Sequence, residues 1–234
     1  MRGMIFAAAV SAAALLTGQA AASTVYSNDF SANTNGFTMS GTAAVYTAPN
    51  SESFIGGLTQ GAGASLTLDT TGLSSITVNF DLYGILSIDG SNGGTGPDSF
   101  RLSVGGGPVL LDETFSNFSF QNQTYGPNAL DPGRTGSDTG IYGHLGYEYV
   151  GYPGDGLDTT YHLSFTFAPT GNSTVLNFVG LSTQALSDEY FGIDNVVVTT
   201  PGGVPEPATW AMMLLGFAGV GAMVRRSRAS ALAA

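Results

Sequence analysis

Residues 161–167 read YHLSFTF: Tyr161, Leu163, Phe165 and Phe167 are aromatic or aliphatic, and His162, Ser164 and Thr166 between them are polar. Successive side chains of an extended chain point to opposite faces, so this period of two specifies a half-buried strand with His162 towards solvent. The same pattern recurs at Leu66 and Leu68, at Ile76, Val78, Phe80 and Leu82, and at Phe100, Leu102 and Val104. Further strands are expected near residues 43–46, 109–115, 118–120, 147–150, 175–181 and 191–199, about ten in all. Turn chemistry separates them: Asp89-Gly90, Asn92-Gly93-Gly94, Gly105-Gly106-Gly107-Pro108, Asp131-Pro132-Gly133 and Pro153-Gly154-Asp155-Gly156. Between residues 23 and 203 no helical period is sustained, and no fixed repeat favours a β-helix. The expected fold is all-β, two antiparallel sheets packed face to face as a sandwich of jelly-roll type, in one domain.

The flanks follow other rules. Arg2 is the sole charge before an apolar run from Met4 to Leu16, and Ala20-Ala21-Ala22 then matches the small-residue pattern of a signal peptidase site. Residues 1–22 are therefore expected to be a signal peptide, with cleavage after Ala22. At the other end, residues 204–228 read VPEPATWAMMLLGFAGVGAMVRRSR, followed by a tail at 229–234. Two prolines fix φ and remove two donors, which keeps Pro205-Glu206-Pro207 extended and accessible. The apolar stretch Ala208 to Val224 spans about 25 Å as a helix, against a hydrocarbon core of roughly 30 Å, so it crosses a membrane only marginally. That suits a transient anchor. Arg225, Arg226 and Arg228 belong on the cytoplasmic side by the positive-inside bias, which leaves the proline triplet on the outer face.

This ordered set of Pro-Glu-Pro, a Trp210-Ala-Met-Met-Leu214 opening, a glycine-interrupted helix and an arginine cluster resembles the PEP-CTERM sorting signal of Gram-negative bacteria. The resemblance implies that an exosortase, an integral-membrane enzyme, recognises Pro205, Glu206 and Pro207 and processes the tail during export, typically in bacteria that make exopolysaccharide. Trp210 to Val224 would form the membrane segment before processing, and the arginines the retention cluster.

A second, shorter resemblance lies inside the domain. Tyr26-Ser-Asn-Asp-Phe30 with Asn35-Gly36-Phe37, and the closing Asp188 to Val198, are similar to the first and last strands of jelly-roll domains in secreted bacterial proteins, several carbohydrate-binding modules among them. In those modules an acidic residue from each of the two strands commonly holds a structural calcium. Asp29 and Asp194 are the matching positions, with Asn28 or Asn195 and backbone carbonyls as further oxygens towards the six to eight that calcium takes. The alternative is that Asp194 and Asn195 bond local backbone at a strand entry.

Composition narrows the partners. The chain has no cysteine, which excludes disulfides and thiol chemistry, and no lysine. Residues 23–203 hold only Arg101 and Arg134 against sixteen acidic residues, a formal charge of −14. Nucleic acid is thus excluded as a partner, and cations are favoured. The loop Ser87 to Asp98 carries Asp89, Asn92 and Asp98 among four glycines and could fold around a cation; it lacks the spacing and closing Glu of an EF-hand, and a flexible acidic turn between strands is the favoured reading. In Gly140 to Gly156, Tyr142, Tyr147 and Tyr149 flank Glu148, an arrangement in which rings stack on sugar faces and the carboxylate bonds hydroxyls; packing within a sheet is the commoner use of such tyrosines.

Enzymatic patterns are missing. The Glu-x-Asp-x-x-Glu strand of sandwich glycosidases is absent, and the adjacent pairs Asp112-Glu113 and Asp188-Glu189 send their side chains to opposite faces of a strand. His144 and His162 fit no zinc motif, and no nucleophile elbow occurs. The sequence therefore points to an exported, non-catalytic sandwich, structural or adhesive at the cell surface or in an exopolysaccharide matrix. A calcium-stabilised carbohydrate-binding module is the alternative, and a secreted glycan-active enzyme the less favoured one.

Overall fold

A computed structural model describes residues 22–91, 94–118, 121–126, 139–148, 158–201 and 207–231. They fall into two units, Ser23–Pro201 and a unit containing a C-terminal helix. The first is all strand: β1 (Ser23–Asn28), β2 (Phe37–Ser40), β3 (Ala44–Thr47), β4 (Ser53–Leu58), β5 (Gly63–Asp69), β6 (Ile76–Leu86), β7 (Ser99–Val104), β8 (Val109–Thr114), β9 (Thr139–Tyr142), β10 (Asp158–Phe167), β11 (Ser173–Gly180) and β12 (Glu189–Thr200).

The strands form two antiparallel sheets, as the alternation required. One has the order β3-β4-β12-β6-β10-β9, with β1 also on β12; the other runs β2-β5-β11-β7-β8. Between them lies a core in which Phe80 of the first sheet meets Phe178 of the second edge to face, 5.2 Å between centroids. Tyr161 and Leu163 of β10 are buried there and His162 is exposed, so the period of two is realised. Burying each such Phe or Leu contributes roughly 1.5–3 kcal/mol.

Strands β2, β4 and β9 stand where no alternation was legible. In β4, Phe54, Ile55, Gly56, Gly57 and Leu58 are all buried, because both faces of that strand are covered. A second apolar cluster of Ala48, Phe54, Tyr83, Ile85, Leu145 and Tyr190 provides the outer cover, and it also hides Tyr83 and Ile85 on the face of β6 away from the main core. The strand expected at 147–150 is reduced to an isolated bridge at Glu148, and Tyr149 and Val150 lie outside the described residues. Phe118 is irregular, and residues 119–120 also fall outside.

Strand β12 organises the sheet. Its first half pairs with β4 on one edge, its second half pairs with β1 on that same edge, and β6 runs along the other. A register shift between Asp194 and Val197, with Asn195 at φ 50°, marks a bulge where the two halves meet.

The helix α1 (Pro207–Ala231) starts on a proline, which loses nothing at a position whose N–H has no intrahelical acceptor. Met212, Leu214, Leu215, Phe217, Val220 and Met223 are exposed on it. Among the described residues no helix is long and apolar enough to cross a membrane. The span expected from Trp210 to Val224 is diluted by Gly216, Gly219 and Gly221. Residues 1–21, with Ala20 of the expected signal peptidase site, and Pro205 and Glu206 lie outside the described residues, and the Trp210, Arg226 and Arg228 side chains are not described.

Candidate functional site

Three carboxylates converge at one end of the sandwich. Asp89 follows β6, Asp98 immediately precedes β7, and Glu189 opens β12; each offers an oxygen within 4.8 Å of the others. Asp98 and Glu189 are 0% exposed. Their burial follows from strand geometry: Asp98 continues the inward series Phe100-Leu102-Val104 of one sheet, and Glu189 continues Phe191-Ile193 of the other. The cluster therefore bridges the two sheets.

The loop closes tightly around it. The Asp89 N–H donates to Asp98 Oδ2 at 2.5 Å, and the Asp98 N–H returns a bond to the Asp89 carbonyl at 2.8 Å. Gln121 Nε2 donates to Asp89 Oδ1 at 2.6 Å and the Thr95 hydroxyl donates to Oδ2. Gly90 is required here, since a Cβ on it would lie 2.0 Å from the Asn122 carbonyl oxygen. Asp98 Oδ1 and both Glu189 oxygens, by contrast, meet no hydrogen-bond donor. The Ser182 hydroxyl, which favours the charged form of Glu189, is engaged with Thr59. Burial first, then the neighbouring Asp98 and Asp89, push the Glu189 carboxyl up to about 9. Burial likewise lifts Asp98 to about 6, partly offset by the Glu189 carboxyl and the Asp89 N–H. The ion pairs of the described residues, Arg101–Asp112, His144–Glu52 and His162–Asp81, lie elsewhere.

A second acidic pocket sits farther along β12, on the outer face of its sheet. Tyr83 donates its hydroxyl hydrogen to Glu52 Oε1 at 2.7 Å and stands 3.3 Å from Asp194 Oδ2. One phenol supplies one hydrogen, so the shorter contact takes it and Asp194 is left to keep its own proton. Burial, then the charge and hydrogen bonding of Glu52, push Asp194 up to about 8, with the Asn195 N–H opposing. Against burial, bonds from Tyr83 and Asn50 hold Glu52 below its usual value, and His144 Nε2 pairs with its other oxygen at 3.0 Å. Asp81 accepts from Asn195 Nδ2 at 2.8 Å and meets His162 beyond.

The residues singled out in the sequence lie in several places. Asp29 is exposed, accepting from Ser31 N and Oγ at 3.1 and 2.7 Å, whereas Asp194 keeps company with Glu52 and Tyr83. Asp29 instead lines an open groove of about 530 Å³ with Tyr26, Asn28, Asn33, Asn35 and Asn195. Tyr147 packs edge-on against Tyr190, their hydroxyls 3.0 Å apart, and its N–H donates to Asp158 Oδ2 at 2.9 Å. Glu148 is exposed, and the Tyr142 side chain and Tyr149 lie outside the described residues. The sequence puts Asp89 and Asp98 in one acidic loop that could fold around a cation, and it gives Glu189 no partner there. The signal available was an acidic residue in phase with the apolar series of two strands.

No curated protein is detectably similar to the chain in sequence. Among solved structures, the K3 cleaved adhesin domain of Lys-gingipain from Porphyromonas gingivalis w83 aligns at 11% identity and a TM-score of 0.42, over 76% of this chain and 99% of that one. The CBM22-1–GH10 modules of Clostridium thermocellum endo-1,4-β-D-xylanase 10B, complexed with xylohexaose, align at 14% identity and 0.39, over 78% of this chain. An exo-β-1,3-galactanase from Phanerochaete chrysosporium aligns at 12% identity and 0.35, over 74% of this chain. The chain spans 29% of the length of each of the latter two. At this level none of them assigns a ligand or an activity. The tail is a different matter: residues 203–228 match the PEP-CTERM protein-sorting motif, and the chain therefore carries the address of a secreted, exosortase-targeted protein.

Proposed function

We propose that the chain is a protein of the Gram-negative cell surface or extracellular matrix, exported and then processed by exosortase, whose non-catalytic sandwich serves a structural or adhesive role in an exopolysaccharide setting. The observation that carries this reading is the sorting motif at residues 203–228, directly after the last strand of the sandwich. Signal peptidase removes residues 1–22, and exosortase recognises Pro205-Glu206-Pro207. Before processing, α1 gives a temporary hold on the inner membrane: its exposed Leu214, Leu215, Phe217 and Val220 favour lipid, and its glycines keep that hold weak. Arg225, Arg226 and Arg228 stay on the cytoplasmic side. Glu206→Ala tests the address in the native host. The variant should accumulate with its tail intact in the inner-membrane fraction, and a wild-type distribution with a trimmed tail contradicts the proposal.

Polysaccharide binding is the second reading, and the groove beside β1 favours it. Tyr26 offers an aromatic wall there, and Asn28, Asn33, Asn35 and Asn195 offer amides suited to sugar hydroxyls. Retention of the purified protein on exopolysaccharide from its own host, lost in Tyr26→Ala, is the expected result; equal retention of the two proteins removes this reading.

A further inference from the structure

Three carboxylates in mutual contact, two of them wholly buried, form an arrangement that folding does not produce without compensation. Removing a charged carboxylate from water is costly unless a counter-charge or a set of donors replaces the water. Asp89 has its donors in Gln121 and Thr95. Glu189 has none at hydrogen-bonding geometry at either oxygen and Asp98 has none at Oδ1, and each of the three residues offers an oxygen within 4.8 Å of the others'. In the adjoining β11–β12 connection, Thr183 donates to the Thr95 carbonyl at 2.7 Å, and the next residue, Gln184, carries a further buried Oε1 without a donor.

We propose that Asp89, Asp98 and Glu189 bind one calcium ion, which fastens the seven-stranded sheet to the five-stranded sheet at the start of β12. The donor set is all oxygen and carboxylate-rich, the chemistry of a hard cation, and it contains no imidazole or thiolate to select zinc or copper. Its span also suits calcium. Ligands at about 2.3–2.6 Å from an ion stand up to about 5 Å apart across it, which accommodates oxygens within 4.8 Å of one another. Magnesium keeps several waters and a tighter octahedron, a poor match for a centre whose carboxylates are closed to solvent. The ion sits where Asp98 and Glu189 enter the core from opposite sheets, so it ties together chain segments separated by 91 residues of sequence. This site is distinct from the pairing of Asp29 with Asp194 that the sequence led one to expect, and it stands independently of the export reading.

The test is calorimetric titration of calcium chloride into the purified, chelator-stripped protein, paired with thermal unfolding. One ion should bind, and the melting temperature should rise by about 5–10 °C at a calcium concentration about 100 times Kd. Glu189→Gln should weaken binding at least tenfold and, with chelator present, should melt higher than wild type, because the amide relieves the carboxylate repulsion. Asp98→Asn provides the same reading should Glu189→Gln fail to fold. Asp29→Asn should bind as wild type does. Absence of any heat or shift with calcium overturns the proposal. So does binding that survives both Glu189→Gln and Asp98→Asn, or that is lost in Asp29→Asn.

Discussion

Glu189 and Asp194 lie on the same strand and each meets another carboxylate, yet their pockets resolve the same electrostatic problem in different ways. In the Asp194 pocket a phenol stands between the acids: Tyr83 donates to Glu52, His144 pairs with the far oxygen of Glu52, and Asp194 retains a proton, which leaves Asp194 Oδ1 as the one carboxylate oxygen there without a partner. In the Glu189 pocket neither oxygen of Glu189 is met at hydrogen-bonding geometry; the Ser182 hydroxyl favours its charged form, but burial and the Asp98 and Asp89 carboxyls outweigh it. A proton on Glu189 is shared with Asp98 and still leaves an oxygen of that pair unmet; a divalent cation satisfies the three carboxylates together. The comparison teaches that burial of acids does not by itself indicate a metal. What separates the two pockets is the supply of donors.

The largest expected effect comes from the residue between the pockets. Phe191 is fully buried against Phe100 and Phe115, with ring centroids 5.7 and 5.8 Å away, so Phe191→Ala should cost about 3–5 kcal/mol in urea unfolding, with or without calcium. A penalty seen only with calcium would mean that the strand is held chiefly by the ion. Next comes Tyr83→Phe, which strips Glu52 and Asp194 of their hydroxyl and should cost about 1–3 kcal/mol, unaffected by chelator. If calcium restored that loss, the Asp194 pocket would be a cation site too and the contrast would vanish.

The pH dependence distinguishes the pockets more finely. Glu189, Asp98 and Asp194 all have folded-state values above their ordinary ones, so the folded protein holds extra protons between the ordinary carboxylate range and about 9, 6 and 8 respectively. Stability in chelator should therefore fall as pH rises from about 4.5 to 9, by about 1.4 kcal/mol per pH unit for each extra proton held. Calcium should flatten the portion that belongs to Glu189 and Asp98 and leave the Asp194 portion in place. An unchanged profile on adding calcium would contradict the assignment. The smallest effect is expected for His144→Gln, within about 1 kcal/mol, because the pair with Glu52 is partly exposed.

The sheets were legible in the sequence because each core strand repeats one local rule. Ile76, Val78, Phe80 and Leu82 announce their face without reference to any other strand. The second apolar cluster was not legible, since Tyr83 and Ile85 break the alternation only because Phe54 and Leu145 arrive from distant segments to cover them. The sorting motif was legible because its information is linear: proline triplet, helix and arginines follow in order, whereas the membrane span expected within it is not found among the described residues. The Glu189 pocket was missed for the opposite reason. Its members come from two sheets and a loop, and the pair Asp188-Glu189 looks like surface charge until Glu189 is counted in phase with Phe191 and Ile193. Asp29 and Asp194 were joined by analogy with first and last strands, and the bulge at Asn195 instead presents that asparagine to the groove that Asp29 lines.

The claim on which the functional account rests is that this sandwich leaves the cell and loses its tail on the way. The direct test is the intact mass of the protein recovered from the surface fraction of its native host. The account predicts a chain that begins at Ser23 and ends before Arg225; a mass that retains the arginine cluster and runs to Ala234 would contradict it.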